Sequence, residues 1–184
     1  MLGRILFVFV TLSLCGAASS LSCWWMDNRF RHSSNKSLNL LDSMANNSTN
    51  TTEDAEVEDT VAFPDHLYNQ ASKASAEDKL FFMAQIREEM VSLFEEDHRA
   101  ASWEENTVEE LLLRLTSQAD GLRSCIGSHG HKKKNKKLHR YFRRLFRHVL
   151  EEMGHSAEAW ELTRKEMKTH LMRTEQLAAS LLTN

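Results

Sequence analysis

Apolar residues along this chain recur at intervals of three and four, the spacing that stacks them on one face of a helix. The cleanest run is Val108, Leu112, Leu115, Ala119, Leu122 and Ile126. It predicts a helix starting near Ser102 or Trp103 and ending near Ile126, where Gly127-Ser128-His129-Gly130 stops it. Before it, Met83, Ile86, Met90, Leu93 and Phe94 mark a helix from an N-cap at Ser75 to about His98. After it, Leu138, Phe142, Leu145, Val149 and Met153 mark a helix over about 136–153, ended by Gly154. Ser156 then caps a last helix whose inner face carries Trp160, Met167, Leu171, Ala178 and Leu181. Leu38, Leu41 and Met44 place a first helix over about 28–45, with a weakly specified start. A short helical piece fits 65–72. No stretch alternates like a strand bounded by hairpin turns.

The polar runs matter as much. Asn46-Asn47-Ser48-Thr49-Asn50-Thr51-Thr52 has no periodicity and leads through an acidic stretch to Phe63-Pro64. A loop that long in a compact domain usually has a function. It permits a crossover, so the first two long helices can run parallel, while shorter later links favour antiparallel neighbours. The expected fold is therefore all-α: a long-chain helical bundle, up-up-down-down, with a long first crossover loop.

The N-terminus is of a different kind. Arg4 precedes an apolar run from Ile5 to Leu14, and Gly16, Ala17, Ala18, Ser19 and Ser20 follow. That is the layout of a signal peptide over residues 1–22, with cleavage after Ser20 or Ser22. The run is shorter than the roughly 20 residues a membrane span needs. No later stretch is apolar enough to span, so the mature domain, 23–184, is expected to be secreted and soluble. Removing the leader takes the formal charge from −3 to −4, because Arg4 is lost. It also removes Cys15, which leaves Cys23 and Cys125. Two cysteines in an oxidising compartment predict one disulfide between them.

Catalytic signatures are missing: no Gly-rich phosphate loop, no G-x-S-x-G, no H-E-x-x-H and no C-x-x-C. No enzyme activity, cofactor or nucleic-acid partner is expected. His129 and His131 form an H-x-H, but the lysines beside it disfavour a cation, so no metal is expected. Glu95-Glu96 and Glu151-Glu152 read as solvated helix faces rather than acid–base pairs. N-x-[S/T] sequons make Asn35, Asn46, Asn47 and Asn50 candidate glycosylation sites, with Asn35 the weakest because it lies within a helix. Lys132, Lys133, Lys134, Lys136, Lys137, Arg140, Arg143, Arg144 and Arg147 form a basic patch with no acid among them. Three readings stay open for it: a solvated face, a surface for sulfated glycans or an acidic receptor, and a membrane-surface helix. The last would require Phe142, Leu145 and Val149 to leave the core.

Several of these residues together carry a resemblance. Cys23 followed by tryptophan, Cys125 at the end of the central helix, and Ala159-Trp160-Glu161 followed by Arg164 and Glu166 make the chain resemble a type I interferon, of the two-cysteine group found in bony fishes. The resemblance covers essentially the whole mature chain. Mammalian alpha interferons carry a cysteine where this chain has Glu158, and its loop partner is missing here too, which fits the two-cysteine group. The resemblance implies a secreted antiviral cytokine that bridges two chains of a class II cytokine receptor and triggers JAK/STAT signalling. It implies that the high-affinity receptor chain docks on the last helix and the first long loop. On the A-W-E-x-x-R run, the last-helix contacts would be Arg164, Lys165, Lys168, Thr169 and Met172. Spacing alone puts Arg164, Lys165, Lys168 and Met172 on a face distinct from Trp160, Met167 and Leu171. Two other classes stay open: a non-interferon helical cytokine, and a cationic host-defence protein acting on membranes through 132–147.

Overall fold

The computed structural model describes residues 23–46, 61–126 and 133–182. The leader, Asn47, Asn50, His129, His131 and Lys132 lie outside the described residues, as does the side chain of Asn46.

Six α-helices form the fold, and the described residues include no strand. A wide π-type turn, Met26–Phe30, leads directly into α1, Arg31–Asn46. Then come α2, Asp65–Ser72, and α3, Ala76–Phe94. A 3-10 turn, Arg99–Ala101, precedes α4, Glu105–Ser124. Last come α5, Lys136–Leu145, which continues into a π-type turn, Phe146–Glu151, and α6, Ala157–Leu182. None of the described helices is long and apolar enough to cross a membrane.

Side-chain pairings fix the directions of the four long helices. Between α3 and α4, Arg87 meets Gln118 while Phe94 meets Trp103, so the two are antiparallel. Between α3 and α6, Lys79 meets Ser180 and Arg87 meets Thr174, again antiparallel. Helix α1 opposes α4 in the same sense, since Cys23 meets Cys125 and Ser37 meets Gln118. Thus α1 and α3 run one way and α4 and α6 the other. This is the up-up-down-down order expected from the long first loop.

Helix ends follow local chemistry. Ser75 Oγ accepts the Asp78 N–H at 3.2 Å and caps α3. Ser156 Oγ accepts the Ala159 N–H at 3.2 Å at the start of α6. Asn135, not foreseen as a cap, accepts from Lys137 and Leu138 and opens α5. Helix α3 stops at Phe94, short of the expected His98. There Asp97 accepts from the backbone and guanidinium of Arg99, a local arrangement that competes with helix continuation. Helix α4 starts at Glu105 and not at 102 or 103, because Ser102 has φ of 55°, outside the right-handed helical range. The residue after Gly154, His155, is also left-handed, and together they reverse the chain into α6.

The core contains most of the expected stripes, while Leu38, Leu112, Ile126, Met153 and Leu181 are only partly buried against it. Leu41, Met44, Met83, Ile86, Met90, Leu115, Leu122, Leu138, Phe142, Met167 and Leu171 are all buried. Met26, Phe30 and Leu111 join them. Trp25 lies against Gly121 so closely that a Cβ there would collide with the indole ring. That contact explains a glycine inside α4, where it costs about 1 kcal/mol of helix propensity.

A buried polar cluster ties four helices together. Arg87 is fully buried on α3. Its guanidinium donates to Gln118 on α4, to the Met83 carbonyl, and to Thr174 on α6. Gln118 in turn donates to Ser37 and to the Ser33 carbonyl on α1. Burial pushes the Arg87 pKa down to about 10, so it stays charged at neutral pH. Its hydrogen bonds offset part of the desolvation cost.

Candidate functional site

The candidate face lies on α6, between the helices that flank it. On one side, Lys168 Nζ meets Asp42 of α1 at 2.5 Å. On the other, Arg173 donates to Asp65 at the start of α2 at 2.8 Å, and its guanidinium sits 5.3 Å over the Tyr68 ring. Asp42 precedes the long first loop and Asp65 follows it. The structure therefore brings both ends of that loop to α6.

Between these flanks, Lys165, Thr169 and Met172 are exposed. Met172 is 49% exposed, and the large apolar side chains of Trp24, Leu113 and Leu182 are exposed to comparable or greater degrees. Lys168 is half-buried beside Asp42. Asn35 of α1, Met172 and Leu182 line a neighbouring open cleft. Asn35 is exposed, while Ser37 of the same sequon is buried against Gln118.

Arg164 does not share the exposed face. It is only 5% exposed. Its guanidinium donates two bonds to the Glu161 carboxylate, at 2.7 and 2.6 Å, and a third to the Leu41 carbonyl at 2.8 Å. Helical spacing suggested an outward side chain. The placement is corrected because Glu161, one turn earlier, and the backbone of α1 together satisfy the guanidinium inside the bundle. Arg164 holds α6 against α1.

Behind the face runs a second buried polar chain. Tyr68 Oη lies 2.6 Å from His170 Nδ1, and His170 Nε2 lies 3.3 Å from Tyr141 Oη. Tyr141 donates its own proton to Glu166. Its oxygen must therefore accept from His170, which places the imidazole proton on Nε2 and leaves Nδ1 to accept from Tyr68. Burial raises the pKa of both phenols and of Glu166, and pushes His170 down to about 3. Neither sequence motif nor periodicity marked this chain. His170 alone, in step with Trp160, Met167 and Leu171 on the inner face, could have signalled it.

A pH prediction follows from His170. Below the ordinary value of 6.5 the unfolded chain takes up a proton that the folded chain refuses until about pH 3. Stability must fall as pH drops through that window, by up to ~1.4 kcal/mol per pH unit from this group. The raised Glu166 works in the opposite sense, so the difference between variants is the informative quantity. Denaturant unfolding at pH 6, 5 and 4 should show a shallower decline for His170→Gln, whose amide can still meet both phenols. Equal declines would contradict a neutral buried His170.

The described residues of the basic patch lie just before α5, on it and in the π-type turn that continues it. Lys133, Lys134, Lys136, Lys137, Arg140, Arg143, Arg144 and Arg147 are exposed, and Lys134 pairs with Glu88 at 3.3 Å. Leu138, Phe142, Leu145 and Val149 on the other side of that segment are buried. No group of three or more potential metal ligands occurs among the described residues.

Comparison with known proteins places this architecture. The interferon alpha/beta domain family matches residues 26–181. The chain is 33% identical over 173 residues to interferon a3 of Oncorhynchus mykiss, covering 94% of both chains. It is 27% identical over 129 residues to interferon omega-1 of Bos taurus, covering 65% of each. The solved structure of zebrafish interferon 1 superposes with a TM-score of 0.71 at 29% identity, covering 86% of this chain and 99% of that one.

Proposed function

The chain belongs to the interferon alpha/beta family, whose members are secreted, non-enzymatic signalling cytokines with antiviral function, and from that membership we propose that it bridges two chains of a class II cytokine receptor and triggers JAK/STAT signalling. We place it in the two-cysteine group, in keeping with its single Cys23–Cys125 bridge. Residues 1–22 would be its signal peptide, removed at Ser20 or Ser22.

The observation that carries the receptor reading is the α6 face. Lys165, Thr169 and Met172 stand exposed between Asp42 and Asp65, the residues flanking the long first loop. An apolar thioether ringed by ammonium and hydroxyl groups suits a hot spot with a polar rim. Lys168 contributes once its half-buried ion pair with Asp42 opens. Arg164 acts as a positioning residue. A glycan on Asn35, exposed on α1, would border this side of the molecule, and Asn46, Asn47 and Asn50 are the other proposed glycosylation sites.

The test is binding of Lys165→Glu and Met172→Ala, singly and together, to immobilised ectodomains of the receptor chains. The pair should weaken one ectodomain at least about tenfold, as hot-spot losses of 1–2 kcal/mol do. Its unfolding free energy should stay within about 0.5 kcal/mol of the parent, because both side chains are exposed. Unchanged binding to every ectodomain would remove this face from the receptor contact.

A further inference from the structure

We propose that the cleft between α5 and the segment entering α2 is a binding site for a sulfated polysaccharide. The cleft measures about 580 Å³. Lys137, Arg140, Arg143, Arg144 and Arg147 line one wall, and residues 62–64 with His66 and Leu67 supply the other. None of Lys165, Lys168, Thr169 or Met172 lines it, so the proposal is independent of the receptor reading.

Four observations point to a polyanion. First, Arg140, Arg143, Arg144 and Arg147 follow i, i+3, i+4, i+7 spacing, which puts them in one row about 10 Å long. Second, the row lacks countercharge. Arg99, Arg114, Arg123, Arg164 and Arg173 each pair with a carboxylate, whereas none of the five cleft cations does among the described residues. Third, none of the residues that form the opposite wall carries a carboxylate. Fourth, like charges one turn apart repel, so an anion bound along the row would relieve that repulsion.

The geometry selects among anionic partners. Membrane insertion needs an exposed apolar face, but Leu138, Phe142 and Leu145 are packed in the core. A row of planar guanidinium forks open to solvent matches repeated sulfate groups, each of which can accept two parallel N–H bonds. A flexible linear polymer can follow the row without shape matching. Tyr141, whose hydroxyl is committed to Glu166, also lines the cleft.

The experiment compares two charge-matched triple variants of the full secreted chain. One is Arg140→Gln, Arg143→Gln, Arg144→Gln. The other is Arg31→Gln, Lys36→Gln, Lys73→Gln, which removes exposed cations elsewhere. Affinity for heparin near 0.15 M salt should fall about tenfold or more for the cleft variant and less than about twofold for the other. Hyaluronan, carboxylated but unsulfated, should bind more weakly than heparin, and vesicles with anionic lipid more weakly still. Equal losses for the two variants would mean diffuse attraction and overturn the site. Hyaluronan or vesicles binding as tightly as heparin would overturn the sulfate assignment. A variant-free measurement stands beside these. Heparin should shield Arg140, Arg143, Arg144 and Arg147 from phenylglyoxal while leaving Arg31 and Arg99 reactive, and uniform shielding would contradict the proposal.

Discussion

Replacing both Cys23 and Cys125 by serine should lower the unfolding free energy by about 4 kcal/mol. The bridge joins residues 102 apart in sequence, and closing a loop of that length removes ~4–5 kcal/mol of unfolded-chain entropy. Its Cα–Cα distance of 5.4 Å lies in the ordinary range for a bridged pair. The bridge also pins the first π-type turn to the end of α4. Beside it Trp25 packs on Gly121, and Met26 and Phe30 enter the core. A domain of this size is typically stable by only 5–15 kcal/mol, so the loss should be plain in a denaturant titration. Non-reducing peptide mapping of the secreted protein should find one linked pair. Two alkylatable thiols in the native protein, or a loss below about 1 kcal/mol on substitution, would contradict this.

Trp160→Ala should cost roughly 3–5 kcal/mol, the range for large aromatic deletions in a core. Trp160 has no exposed surface. Its ring lies 5.7 Å from Trp103 and 6.2 Å from Phe94 between centroids, and its Nε1 donates to the Asp97 carbonyl at 3.1 Å. Deleting it opens a cavity at the junction of α3, the 3-10 turn and α6, and orphans that carbonyl. Secreted yield should fall before specific activity does, because the ring is not available to a receptor. A fully secreted, well-folded Trp160→Ala that has lost receptor binding would show the opposite.

How far the sequence revealed this depended on what each element buries. Helix α4 buries one stripe, and its periodicity placed it within a few residues. Helix α3 is covered on most sides: Lys79, Gln85, Arg87 and Glu89 are buried alongside its apolar stripe, so a one-face reading understated it. The start of α1 was obscure because Ser34 and Ser37 occupy inward positions that would otherwise signal apolar periodicity. Cysteine parity needed no geometry, and the expected pair is the one formed. Arg87 and Arg164 were opaque for one reason. Whether a guanidinium is buried depends on acceptors from distant segments, here Gln118, Thr174 and the Leu41 carbonyl, which no local pattern announces. The exposed half of the candidate face was visible from spacing, and the buried member was not.

Engagement of a two-chain class II cytokine receptor is the proposed action of this chain. It is tested most directly by a STAT-responsive reporter in cells of the source species, with each candidate receptor chain deleted in turn. A dose-dependent signal should appear, disappear on deletion of either of two chains and return when the missing chain is restored. A signal that survives every deletion, or cell damage without a signal in receptor-deleted cells, would contradict it.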